Sequence, residues 1–272
     1  MSLSFRLRRF DRSRVSSATC TLVMLALSGN HGVKWRPRGE CRMRVYDPDQ
    51  PIVFIHVPKT AGLSVREVFD GWFGDGLIRH YFNEVQGGRP ERESRFDLHS
   101  REHPVCVYGH FNRLRGFGVT DNYPDASQFV TILRDPFEMA CSNYRFLRKV
   151  SAKWKDQSRV PKGGLAEYLM ETAPNMLNHF PDVVTELNFR EMIETRFVAI
   201  GLTERLNDSL SHIASILGFP YEPTRLGRLN TTEPEQGTSD LDALRAQYRA
   251  RHPLEFELYD YVRQRAETLL PS

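Results

Sequence analysis

The chain has 272 residues, with 37 Lys+Arg against 34 Asp+Glu and a formal net charge of +3. Apolar residues at 40% and charged residues at 26% describe an ordinary globular protein that buries its core without a metal or disulfide staple, and they exclude disorder, collagen and a polytopic membrane protein. The charge surplus is too small for broad nucleic-acid binding, so no nucleic-acid partner is expected and any cationic function has to sit in one local pocket.

At the start of the chain Arg6, Arg8, Arg9, Arg12 and Arg14 precede a short apolar run, Cys20-Thr-Leu-Val-Met-Leu-Ala-Leu27. Two readings stay open: a targeting segment with a basic n-region and an apolar h-region, or a disordered basic extension. The run is too short to span a bilayer, which takes about 20 apolar residues. Residues 1–46 are therefore set apart as an N-terminal extension, and 47–272 are read as one folded domain. The extension reading implies a cytoplasmic protein. The targeting reading implies the secretory pathway or Golgi lumen and is the one route to membrane contact. No CxxC pair occurs among Cys20, Cys41, Cys106 and Cys141, so a zinc ribbon or redox motif is not expected. Cys106 and Cys141 read as buried free thiols.

From Ile52 the pattern changes to strands alternating with helices. Ile52-Val-Phe-Ile-His-Val57 is a continuous apolar run of the kind a buried parallel strand requires. A tight Pro58-Lys-Thr-Ala-Gly62 loop follows, then a helix placing Val65, Val68, Phe69, Trp72 and Phe73 on one face and ending at Gly74. The Gly- and Arg-rich stretch from Gly87 to Glu102 reads as a surface loop. Further strands are predicted over Pro104–Tyr108, Gln128–Leu133 and Phe197–Ile200. Asp135 is a predicted N-cap and Pro136 a first helical residue for a helix running to about Lys149. Residues 150–164 read as a basic loop. Another helix spans about Asn207–Leu217 and stops at Gly218, and Ser239–Leu270 is mostly helical with a break at Pro253. This order predicts an α/β fold with a central parallel sheet between helical layers.

Ligands of open α/β sheets bind beyond the carboxyl ends of the strands, and three polar signals fall there: Pro58–Ser64, Gly109-His110 and Arg134-Asp135. The first suits a phosphate. Amides of Lys59, Thr60, Ala61, Gly62, Leu63 and Ser64 would line a helix N-terminus, Lys59 adds a cation, Gly62 permits close approach, and Thr60 and Ser64 add hydroxyls. The segment does not match GxxxxGK[ST], which weakens an ATPase reading. For Arg134, an ion pair with Asp135 or Glu138 is the competing assignment. His110 could be a structural histidine or a base.

These residues resemble a known family. His56-Val-Pro-Lys-Thr-Ala-Gly-Leu-Ser64 resembles the 5′-phosphosulfate loop of sulfotransferases, in particular the carbohydrate (heparan 2-O-like) and bacterial branch, which use 3′-phosphoadenosine 5′-phosphosulfate (PAPS). Leu133-Arg-Asp-Pro-Phe-Glu-Met-Ala-Cys-Ser-Asn-Tyr-Arg145 is similar to that family's 3′-phosphate motif, an arginine followed at a fixed distance by a serine, here Arg134 and Ser142. A weaker likeness at Ile200–Arg205 extends the resemblance over about Ile52–Tyr261.

The resemblance implies a P-loop-like three-layer fold, PAPS leaving as 3′-phosphoadenosine 5′-phosphate (PAP), and no metal. The nucleotide would be held by residues 59–64, Arg134 and Ser142, and its leaving oxygen neutralised by Lys59. His110 would be the base, although Tyr108-Gly-His110 departs from the His-Gly-His arrangement of the 2-O-sulfotransferases because Tyr108 replaces the first histidine. The partner would be a hydroxyl-bearing acceptor, a carbohydrate or glycan. The basic stretch from Arg145 to Arg159 could steer an acidic glycan, with Trp154 and Tyr168 as stacking candidates, and Arg228–Thr232 falls where the family closes a loop over the nucleotide. Two other readings remain: an ATP-dependent small-molecule kinase, which shares the sheet and loop plan, and a catalytically inactive nucleotide- or glycan-binding protein.

Overall fold

The structure, a computed structural model, describes residues 43–82, 88, 90–150, 160–223 and 238–269. The basic run before Met43, Trp154 with Lys153, Lys155 and Arg159, and Arg228–Thr232 lie outside the described residues.

Five parallel strands form the centre: β1 (Ile52–Ile55), β2 (Leu77–His80), β3 (Cys106–Gly109), β4 (Phe129–Leu133) and β5 (Phe197–Leu202), in the order β2-β3-β1-β4-β5. β1 is paired on both sides, with Phe54 opposite Tyr108 on β3 and Val130 on β4. Its side chains alternate between two cores, which is why the run is apolar throughout. Ile52 and Phe54 face a core with Val65, Phe69 and Phe73 of α1 (Gly62–Phe73), and with residues of a later helix, Leu206–Leu217. Val53 and Ile55 face the other core with Phe129, Leu133 and the remaining helical layer. The expected three-layer α/β architecture is thus present.

The other helices are α2 (Val119–Asn122), α3 (Pro136–Val150), α4 (Leu165–Glu171), α5 (Phe189–Arg196), α6 (Leu206–Leu217), α7 (Thr238–Arg251) and α8 (Pro253–Leu269). α5 and α8 cover the Val53/Ile55 face through Phe189, Ile193, Leu258 and Val262. A third core joins α3, α4, α7 and α8 through Phe137, Tyr144, Leu169, Tyr248 and Phe256. No described helix is long and apolar enough to cross a membrane.

Local chemistry sets the helix ends where the sequence placed them. Asp135 Oδ1 accepts the amides of Phe137 (2.9 Å) and Glu138 (3.0 Å), capping α3, and Pro136 occupies the first helical position. Gly218 closes α6 in a left-handed conformation (φ 78°), its amide donating to the Ala214 carbonyl. Cys106 and Cys141 are buried free thiols.

Two features depart from the sequence reading. β2 was not predicted: Leu77-Ile-Arg-His80 is four residues long, carries an exposed arginine and follows a Gly-Asp-Gly turn, so no apolar run marks it. Within the expected surface loop, Ser94–Leu98 forms a 3₁₀ turn that buries Phe96. In addition, Met43–Tyr46, assigned to the extension, lie against the domain. The Arg44 amide donates to the Phe197 carbonyl at 3.1 Å, and Met43 and Tyr46 pack on opposite cores.

Candidate active site

The chain leaves β1 for α1 on one face of the sheet. It leaves the neighbouring β4 for α3, whose Met139 joins the core on the other face. Connections departing to opposite faces from adjacent strands open a crevice at their carboxyl ends. The loop after β1, at these carboxyl ends, has an unusual backbone conformation. Lys59 (φ 71°) and Ala61 (φ 60°) are the only non-glycine residues with positive φ among the described residues. Such conformations cost of order 1–3 kcal/mol each and persist where surrounding contacts enforce them. One enforcing contact is the Thr60 hydroxyl, which donates to the Val57 carbonyl at 2.8 Å. Its proton therefore staples the loop, where the sequence reading had offered it to a phosphate.

The result is a helix start built to receive an acceptor. No side chain caps α1, its first turn holds no acid, and Ala61 is the N-cap in left-handed conformation. The amides of Gly62, Leu63 and Ser64 at the first three helical positions have no intrahelical partner, and the left-handed residues 59 and 61 lead directly into them. Ser64 is buried and Leu63 is 56% exposed at the rim.

Arg134, just past the end of β4, donates from Nη1 to the Lys59 carbonyl at 3.3 Å. The competing ion pair is not formed: Asp135 (2.9 Å) and Glu138 are both taken by Arg245 of α7. The Lys59 ammonium lies 4.0 Å from the centroid of the Phe146 ring on α3. Burial, and secondarily the Arg134 charge, lower its pKa to about 8. Two cations thus crowd together with no carboxylate between them. Ser142 sits one helical turn before Phe146 on α3, half-buried on the side that approaches the loop.

On the other side of β1, His110 follows β3. Its Nδ1 lies 2.7 Å from the His56 carbonyl, an oxygen that can only accept, so Nδ1 carries the proton and Nε2 is left unprotonated. Burial lowers the His110 pKa, and the Arg115 charge acts in the same direction, while the His56 carbonyl opposes them. The His110 and His56 rings stack at 4.2 Å and 23°. His56 Nδ1 is 3.1 Å from the Tyr81 hydroxyl, and the Arg66 charge acts on Tyr81 against the burial that raises its pKa. His179, deeply buried, stands 6.2 Å from His110, with Nε2 3.3 Å from Asn175 Nδ2.

The structure therefore brings Lys59 and Arg134 into contact and puts His110 at the neighbouring strand end, beyond His56. It gives Gly62 a further reason, beside the close backbone approach read from the sequence. A Cβ there would come 1.7 Å from His56 Nε2, so the glycine makes room for an imidazole ring. Tyr108, which stands where a first histidine was sought, stacks on Phe54 at 4.4 Å and donates to the Gly62 carbonyl at 2.9 Å. Tyr168 packs in the third core with its hydroxyl on Asn143. Sequence reasoning missed Tyr81, Arg66, His179 and Arg245. Tyr81 follows the strand that was not recognised, Arg66 lies on the predicted helix α1 just past the loop motif but off its apolar face, and His179 and Arg245 sit in segments that carry no motif.

No protein-family model matches the chain, and no curated protein matches it in sequence. Among solved structures it is similar to the crystal structure of mouse sulfotransferase SULT7A1 complexed with PAP, at 14% identity over 81% of this chain and 90% of that chain, with a TM-score of 0.45.

Proposed function

We propose that this chain is a sulfotransferase that moves the sulfuryl group of PAPS to a hydroxyl of a carbohydrate acceptor. The observation that carries the reading is one juxtaposition across β1. An uncapped helix N-terminus with Lys59 and Arg134 lies on one side, and a histidine with its Nδ1 proton fixed lies on the other. The residues fit a nucleotide carrying two phosphate-like ends, because the uncapped amides and the two adjacent cations lack any acid to satisfy them. PAPS supplies the activated sulfuryl group. The amides of residues 60–64 and Lys59 hold its 5′ end and stabilise the charge that grows on the leaving oxygen, each well-aimed donor contributing about 3 kcal/mol. Arg134, with Ser142, holds the 3′-phosphate through its planar fork. His110 Nε2 takes the proton of the acceptor hydroxyl, and the carbonyl of His56 holds the ring as it becomes imidazolium.

Ligand-dependent thermal stability tests the nucleotide assignment. PAP at about 100 times its dissociation constant adds roughly 2.7 kcal/mol, seen as a raised Tm. A shift with ATP and magnesium but none with PAP overturns the reading in favour of a kinase. His110→Ala separates enzyme from binding protein: transfer falls at least a hundredfold while the PAP shift persists. Unchanged transfer removes His110 as the base.

A further inference from the structure

His56 immediately precedes the phosphate loop, and the proposed function assigns its side chain nothing. Its ring is nonetheless held on three sides. The Nε2 edge fills the space in which Gly62 of the loop lacks a Cβ, where a methyl would come 1.7 Å from Nε2 and 2.0 Å from Cε1. Nδ1 is tied to the Tyr81 hydroxyl at 3.1 Å. One face lies on His110 at 4.2 Å. Gly62 itself cannot retreat easily, since its carbonyl accepts from Tyr108, which stacks within the sheet core. No acid is among the groups that act on His56; its neighbours are His110, His179, Arg66 and Lys59, so the ring stays neutral in a cationic setting.

From this geometry we infer that His56 is a positioning residue that couples the phosphate loop to the base: its imidazole transmits the position of Gly62 to the ring of His110. The inference rests on the proposed roles of the loop and of His110. It goes beyond them, because it makes the absence of a side chain at Gly62 a requirement of the acceptor side of the site. Contact with the nucleotide is not part of His56's role, and it gives up no proton. It keeps His110 dry and in register while the main-chain carbonyl of the same residue fixes the Nδ1 proton.

The test is a suppressor cycle on Gly62→Ala, His56→Ala and the double variant, with His56→Phe as the ring-preserving control. Three quantities are read: the His110 imidazole titration by nitrogen-15 NMR, Tm, and kcat with the KM for PAPS. Gly62→Ala should lower Tm and cut kcat about tenfold in the parent chain, yet cost nothing further once His56 is alanine, because the obstructed ring is gone. His56→Ala should lower kcat about tenfold with the KM for PAPS changed less than threefold, and raise the His110 titration toward 6.5 as water reaches the ring. His56→Phe should keep kcat within about fivefold and leave the titration near its parent value.

Equal Tm losses from Gly62→Ala in both backgrounds, or a His110 titration unmoved in His56→Ala, overturn the coupling. Should His56→Ala not fold, a Gly62→Ala chain whose His110 titration matches the parent overturns it as well. The titration and the Tm cycle need no turnover. If they behave as stated while the parent chain transfers nothing from PAPS, the coupling stands and the sulfotransferase reading falls.

Discussion

Lys59 and Arg134 are neighbours of like charge, and that fact makes the site testable residue by residue. With its pKa near 8, Lys59 is partly neutral in the ligand-free protein at pH 8.5, and a polyanion beside it restores the charge. Binding of PAP at pH 8.5 should therefore take up a proton. Calorimetry in two buffers of different ionisation enthalpy should detect it, and Lys59→Met should abolish it. Affinity should fall as pH rises through the Lys59 pKa. Arg134 makes a different prediction, because its assigned partner is the 3′-phosphate. Arg134→Ala should erase the preference for PAP over adenosine 5′-phosphate, and equal losses for both ligands would contradict the assignment. Both residues were legible in the chain as cations at strand ends. Arg245 was not, although it is what removes Asp135 and Glu138 from competition for Arg134. It lies more than a hundred positions downstream, on a helix whose sequence shows only a surface-like pattern.

At the scale of elements, α3 shows how one residue serves two purposes. Asp135 caps the helix through two amides and pairs with Arg245 at 2.9 Å, joining α3 to α7. Asp135→Ala should cost about 1–2 kcal/mol in denaturant unfolding, most of it from the lost cap. Asp135→Asn keeps a capping oxygen and should lose less than half as much, since the pair is partly exposed. α1 depends instead on burial: Phe69, in contact with Phe54 and Tyr108, is fully enclosed, and Phe69→Ala should cost about 3–5 kcal/mol. These helices were readable because caps, glycine stops and 3.6-residue spacing are local signals. β2 was not, because an edge strand of four residues is defined by its partner, here β3, more than by its composition.

The whole molecule carries several imidazoles buried in neutral form. Burial lowers His80 to about 4 and His179 to about 3, and it also lowers His56 and His110. Below pH 6.5 the unfolded chain binds protons at these positions that the folded chain refuses, so stability is full above about 6.5 and is lost as pH falls. Glu255 works in the opposite direction. Burial raises it to about 7, so the folded chain holds a proton that the unfolded chain releases as pH rises from about 4.5 to 7. Several histidines outweigh one glutamate, each group contributing up to about 1.4 kcal/mol per pH unit. Tm should therefore fall as pH is lowered from 7 to 5, and Glu255→Gln should steepen the decline. A Tm that rises over this range would refute the account.

The order of strands and helices, the helix caps and the three polar strand ends could be read from the chain, because each is set within about a dozen consecutive residues by burial pattern, capping chemistry and backbone freedom. What stands beside what was decided only by the tertiary fold. Pairing β1 between β3 and β4 places His56 over His110 and Arg134 against the loop, through contacts between residues 54 and 75 positions apart. It also gives Gly62 its partner. In the sequence that glycine is a flexible residue in a phosphate-like loop; in the fold its missing side chain is the room that one imidazole needs to reach the next. Long-range packing fixes such relations, and no local pattern records them.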